Sequence, residues 1–293
     1  MAHRTLQELI THAGDLCGRA GTARHSDANL LRYMNYEQQK LAPYITMAYE
    51  DYFLTKVKIS LVNGQREYQL PYHTLKVKRV DHVRPGNIEP TDLLPIDLTD
   101  EWSWRDSDSE GHPEAWAFRN YKIRLTPMPN YDDSYKLTIW FSGRPPDMSY
   151  GTALAGAART ITFASTPTLG TTSIYDNYYN GAHVHMTSGT GVGQINEVET
   201  YVGSTRIATM VDTWSTIPNN TSVYDIAPVI PKEYTELLVL GAVMRVYGKD
   251  HAIYPQWKRE YDEQYARMIE GLADRQFQSP QYVRYELDPG YDY

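Results

Sequence analysis

Gly189, Gly191 and Gly193 stand at alternate positions in the stretch SGTGVGQINEV, a spacing that could gather backbone N–H groups around a phosphate. Such a loop needs a helix to follow it and, in its common form, a Lys-Ser/Thr pair directly after the glycines. Here Gln194-Ile195-Asn196 and a strand pattern follow, with no lysine between Ser188 and Trp214. The expected structure is a turn between strands, where glycine supplies positive φ. DSDSEG, Asp106 to Gly111, copies the opening of a calcium loop, but the twelfth position is Ala117 rather than Glu, which leaves a solvated acidic loop. His183 and His185 lie at i and i+2 on one strand, close enough to share a metal, yet no third ligand is visible and exposed strand histidines are expected. Cys17 has His12 five residues before it rather than on its own helix face, so a buried small hydrophobe is expected and not a nucleophile. There is no serine elbow, no HExxH pair and no carboxylate pair, so no catalytic, cofactor or metal residue is nominated.

The elements that carry these residues begin with helical spacing. Leu6, Leu9, Ile10, Ala13 and Leu16 predict an amphipathic helix over Thr5 to Cys17, closed by Gly18 and Gly21. A second starts after Ser26 or Asp27 and carries Leu30, Leu31, Met34, Leu41, Ile45 and Ala48 to about Tyr52, with Pro43 expected to kink or break it. From Phe53 the period changes to two. KVKISLV, the hairpin signal Asn63-Gly64, EYQLP, LKVKRVDHVR, KIRLTPMP and YKLTIWF predict a small antiparallel sheet over residues 53 to 143, with Trp102, Trp104 and Trp116 anchoring the loop between its strands.

Pro145-Pro146 opens a stretch of some 80 residues rich in Thr, Ser, Gly and Tyr. Strands are expected at Thr160 to Ala164, Ala182 to Thr187, Gln194 to Tyr201, Arg206 to Val211 and Ser222 to Ile226, and together they suggest a β-sandwich. Helical period returns at Pro231 and runs to Gly248, then again from Pro255 to Arg275, and these two helices should pair as a hairpin. The closing stretch, with two prolines and four tyrosines from Pro280 on, is expected to be an extended arm. The fold class is therefore α+β: an α-helical bundle with a small antiparallel sheet over residues 1–150 and 229–279, interrupted by an inserted β-sandwich-like domain at 151–228, with the arm at 280–293.

Bulk composition narrows the function. The 293 residues are 41% hydrophobic and 22% charged, enough for one large or two medium folded domains. The net charge of -8 argues against a surface that wraps nucleic acid. One cysteine excludes an internal disulfide and fits assembly in a reducing cytoplasm, and no run approaches a membrane span. The amphipathic start is unlike a secretory leader. Against 5 Phe stand 25 Tyr, an aromatic set suited to surfaces that become interfaces.

The segments NLLRYMNYEQQKLAPYITMAYEDYF, GQREYQLP, DHVRPGNIEPTDLLPIDLTDEW, GHPEAWAFRNYKIRLTPMPNYDDSYKLTIWFSGRPPDM and VIPKEYTELLVLGAVMRVYGKD, taken in order, resemble head-to-tail adaptor proteins of short-tailed bacteriophages. The resemblance covers nearly the whole chain outside the insert. It implies a ring of twelve copies beneath the portal at one capsid vertex, joined to a tail nozzle or tube below, with DNA passing through without specific binding. It further implies that the C-terminal arm reaches into the portal, which assigns docking to Tyr282, Val283, Tyr285, Leu287, Tyr291 and Tyr293. The free protein is expected to be monomeric, because ring closure needs the portal as template. The insert is similar to small β modules of phage structural proteins and is expected to project outward, toward fibres or neighbouring tail proteins. Two rival readings stay open: a carbohydrate- or receptor-binding tail protein using Tyr175, Tyr178 and Tyr179, and a cell-wall hydrolase, for which no residue set stands out.

Overall fold

The structure, a computed structural model, describes residues 5–18, 26–97, 109–249 and 251–276. It is mixed α and β with mostly sheet, and its described residues hold four α-helices: α1 (Leu6–Leu16), α2 (Asp27–Ala48), α3 (Glu236–Tyr247) and α4 (Tyr254–Gln276). α1 starts where the sequence can satisfy its free N–H groups. Thr5 Oγ1 accepts from the Glu8 N–H (3.2 Å) while Glu8 Oε2 accepts from the Thr5 N–H (2.9 Å), a reciprocal capping box. Ser26 caps α2 through the Asn29 N–H. α3 stops at Gly248, whose φ of 74° lies in the left-handed region that favours glycine.

α2 is continuous through Pro43, so the helix does not break there. Pro43 stands on the exposed side of the helix, where water can serve the carbonyl left without its N–H partner. The helices share one hydrophobic core that includes Leu9, Leu30, Met34, Leu41, Leu237, Leu240 and Met268. Glu37, only 2% exposed, crosses this core: it accepts from Tyr261 Oη (2.5 Å) and Lys40 Nζ (2.7 Å), and Arg245 Nε stands 3.9 Å away. Burial, followed by the hydrogen bond and charge of Glu37, holds the Tyr261 hydroxyl far above the ordinary tyrosine range.

Room for that carboxylate comes from Gly241. A Cβ built there would overlap Glu37 Cγ and stand 2.7 Å from its Cδ. Glycine to alanine inside a helix ordinarily stabilises by about 1 kcal/mol. Gly241→Ala is expected to do the opposite, costing about 2 kcal/mol net, because the methyl displaces a pinned, buried side chain. A higher urea midpoint for the variant would contradict this packing.

Among the described residues, 54–97 and 109–143 form two four-stranded sheets and a short two-stranded one around a second core of Val57, Leu61, Trp116, Ile123, Leu137 and Phe141. One has the order Leu54–Leu61, Asp133–Gly143, Thr74–His82, Thr91–Asp92, all antiparallel; the other has Glu67–Gln69, Lys122–Thr126, Ala115–Arg119, Leu94–Pro95. The single small antiparallel sheet expected from the sequence is thus divided among three, the strands flanking Asn63-Gly64 part to different sheets and do not close the expected hairpin, and Leu94–Pro95 runs parallel to Ala115–Trp116 as Glu110–Gly111 does to Met128–Pro129.

The third unit is one seven-stranded antiparallel sheet, in the order Ser149–Thr152, Val223–Ile226, His183–Ser188, Ile195–Val202, Ile207–Met210, Thr160–Thr162, Ala155–Ala157. It curls around Phe163, Tyr179, Tyr201, Tyr224 and Trp214 instead of stacking as the expected two-sheet sandwich. The cause lies in Ile195–Val202. Its first residues pair with His183–His185 and its last with Ile207–Met210, with a register shift between Val198 and Thr200, so one bent strand serves both halves.

Candidate interaction surfaces

The glycine stretch turns a corner. Gly189, Gly191 and Gly193 have φ of 75°, 81° and 86° and join the strand ending at Ser188 to the one starting at Ile195. The Gly193 N–H donates to the Met186 carbonyl (2.8 Å), and Gln194 pins the turn to its neighbour by donating to the Thr216 carbonyl (2.9 Å) and accepting from Ser215 Oγ (2.7 Å). A Cβ on Gly189 would overlap the Thr221 carbonyl oxygen and come 2.7 Å from its carbon. Close backbone approach and turn geometry therefore account for these glycines.

Of the calcium-like stretch, Asp106 to Asp108 lie outside the described residues, as do Trp102 and Trp104, while Glu110–Gly111 pair with Met128–Pro129 and Ala117 is buried in a strand. Among the described residues no group of three or more His, Cys, Asp or Glu could hold a metal. Cys17 is buried at the end of α1, where desolvation pushes its thiol up to about 11. His12 Nε2 stands 3.3 Å from Glu236 Oε1 on α3. No described helix is long and apolar enough to cross a membrane.

The strand histidines part company. His183 is exposed as expected, but His185 is 5% exposed, because α1 lands on this end of the curled sheet. Asp225 Oδ2 accepts the Leu6 N–H (2.7 Å) at the start of α1, and His185 Nδ1 stands 3.5 Å from Asp225 Oδ1. Burial raises the Asp225 carboxyl from 3.8 to about 6, partly offset by the Leu6 hydrogen bond, with Glu8 adding to the rise. Folded Asp225 thus keeps its proton at pH values where the unfolded side chain has lost it, so stability from this group falls as pH rises from about 4 through about 6. Thermal melts across that window should show Asp225→Asn lacking this slope, a difference on the order of 3 kcal/mol between the ends. Parallel pH profiles for variant and parent would contradict it.

Two surfaces remain open. Along α2, Tyr36 (56% exposed), Tyr44 and Met47 (81% exposed) make a stripe opposite its core face. The Arg245 guanidinium lies 3.7 Å over the Tyr36 ring, and Tyr265 of α4 meets Tyr44 edge-on at 5.6 Å. Tyrosine, arginine and methionine are the residue types that anchor protein interfaces. Spaced eight and three residues apart, these side chains keep the same helical period as the core face, so periodicity alone does not tell the two faces apart.

The second surface is a cleft of about 1210 Å³ between the paired sheets and the curled sheet. Tyr72 stacks on Tyr175 across it at 4.9 Å and 15°. His73, 5% exposed, stands in its wall between Phe141 (5.5 Å) and Tyr178 (5.8 Å), and burial pushes its imidazole down to about 4. The three tyrosines of the carbohydrate reading do not form one platform. Tyr179 is fully buried, Tyr178 packs against Tyr179 and His73, and Tyr175 spends a face on Tyr72. The arm residues Tyr282, Val283, Tyr285, Leu287, Tyr291 and Tyr293 lie outside the described residues.

No curated protein matches the chain. The family model described as SU10 adaptor protein matches residues 4–182, more than half of the 293 residues, running from the capped start of α1 through both paired sheets and into the curled sheet. With an interface-type helical face, an open cleft and this match in hand, the chain belongs to the SU10 adaptor protein family, the phage head-to-tail adaptors.

Proposed function

We propose that this adaptor is one subunit of a ring seated beneath the portal, joining capsid to tail and continuing the DNA channel, with twelve copies as its resemblance to adaptors of short-tailed phages implies. The observation that carries the reading is the exposed face of Tyr36, Tyr44 and Met47 on the helical unit, which a closed assembly would bury. A ring requires two different faces on each subunit, and this one has interface composition. The arm at 280–293 docks on the portal and the tail nozzle or tube attaches below.

Residues 151–228 form an insert in a discontinuous domain made of 1–150 and 229–279. Supporting this division, the chain enters and leaves the insert side by side: Ser149 pairs with Ile226 and Thr152 with Val223. The insert projects outward toward tail fibres or neighbouring tail proteins. Cross-linking mass spectrometry on intact virions tests the placement. Links to portal on one side and to a tail protein on the other are expected, whereas links to fibre proteins alone would overturn it.

A further inference from the structure

The hairpin that joins Ala115–Arg119 to Lys122–Thr126 turns on two residues, Asn120 and Tyr121, with φ of 47° and 58°. Positive φ at both central positions is the turn that best matches the twist of paired strands, and its second position ordinarily holds glycine. Asparagine tolerates this left-handed region, whereas a bulky side chain there is strained. The fold uses Tyr121 through its carbonyl, which accepts from the Leu70 N–H (2.9 Å) and Gln69 Nε2 (3.1 Å), bonds that any residue could supply. Its side chain is 55% exposed and meets the Phe118 ring edge-on at 6.5 Å. One edge-on contact at the surface does not offset the strain, and strained positions of this kind cluster where proteins bind.

Tyr121 lines the cleft, together with the exposed Tyr72 and Tyr175. At about 1210 Å³ the cleft exceeds the usual small-ligand pocket of roughly 300–1,000 Å³ and suits a segment of polypeptide. Four charged side chains line it, and their charges sum to zero, but they are not equally engaged. Asp176 Oδ1 already accepts the Gly203 N–H (2.7 Å). The Asp147 carboxylate stands beside the Tyr178 hydroxyl, which burial and then this charge push up to about 12. Lys58 and Arg144 are exposed and have no anionic partner among the described residues. With both carboxylates engaged by the fold and both cations unmatched, charge complementarity favours an anionic occupant. Two cations are too few for a phosphate backbone, which is held by a run of them, so carboxylates are the better match.

We propose that the cleft receives an extended, carboxylate-bearing segment of a partner protein, with Tyr121 as its aromatic anchor and Lys58 and Arg144 as the charges that meet the carboxylates. A tyrosine held rigidly by a tight turn loses little freedom on binding, which suits it to anchor such a segment.

The probe is a fluorescent Glu–Tyr copolymer titrated against the full chain, with a Lys–Tyr copolymer as the charge-reversed control. A chain of net charge -8 repels an acidic polymer except at a site built for it. The acidic polymer should nevertheless bind at least about tenfold tighter than the basic one; equal binding, or none, overturns the proposal. Arg144→Gln and Lys58→Gln should each weaken it at least about threefold, and unchanged affinity in both overturns the charge match. Tyr121→Gly separates binding from folding: glycine relieves the turn, so the melting temperature should hold or rise while affinity falls at least about tenfold. Tyr121→Asn, which the turn also tolerates, should repeat that result. Unchanged affinity in both variants would assign Tyr121 to the fold alone and overturn the anchor, and tighter binding of oligothymidylate than of the Glu–Tyr polymer would assign the cleft to nucleic acid instead.

Discussion

Phe163→Ala is expected to cost the curled sheet about 3–5 kcal/mol, the range for removing a fully buried aromatic side chain. Phe163 is 0% exposed and sits at the centre of an aromatic cage: Tyr224 at 4.9 Å, Tyr179 edge-on at 5.5 Å and 83°, Tyr201 at 5.9 Å. The cage cannot close over the void, because its hydroxyls are tied outward. Tyr224 Oη accepts the Ala164 N–H (3.1 Å), Tyr179 Oη accepts the Ser173 N–H (3.0 Å) and Tyr201 Oη donates to the Ser173 carbonyl (2.5 Å). The loss should appear as an earlier transition in near-ultraviolet circular dichroism, which reports these tyrosines, while helical signal at 222 nm, carried by a separate core, persists to the parent's midpoint. A single transition at the parent's midpoint would show that this cage is not the core of the unit.

Removal of residues 280–293 is expected to leave a folded protein that has lost at least about a hundredfold in portal affinity. Tyrosines in a segment that orders on binding act as anchors, and losing several at once removes more than 2.7 kcal/mol of binding at about 1.4 kcal/mol per tenfold. On the reading that the arm orders only when it meets the portal, the melting temperature should not move. Surface-immobilised portal titrated with both chains gives the answer. Undiminished binding by the truncated chain would mean that the contact lies elsewhere, with the face of Tyr36, Tyr44 and Met47 as the next candidate.

What the sequence disclosed follows from what periodicity encodes. The helix expected over Thr5 to Cys17, the turn at Asn63-Gly64 and the strand beginning at Thr160 are local, and local spacing locates them, but Leu54–Leu61 and Glu67–Gln69 on either side of that turn join different sheets and not the expected hairpin. Partner order is not local. The parallel pairing of Leu94–Pro95 with Ala115–Trp116 joins segments about twenty residues apart, and the bend at Val198/Thr200 that replaces a sandwich by one curled sheet leaves no mark in alternation. His185 alternates correctly with Val184 but is buried by a helix whose first residue is Leu6, 219 residues before its anchor Asp225. For the same reason the cleft was invisible: Tyr72 and Tyr175 meet only once two units have docked. The family, by contrast, was legible in the order of several loose motifs, because order survives where each motif alone is ordinary.

The most direct test of the adaptor reading is to mix the purified protein with purified portal rings, then measure the mass of the product by light scattering and image it. One added ring on a single portal face is expected, with a mass equal to twelve chains, assembled from monomers. Absence of any portal complex, with the protein recovered instead on fibres or bound to cell-surface sugar, would contradict it.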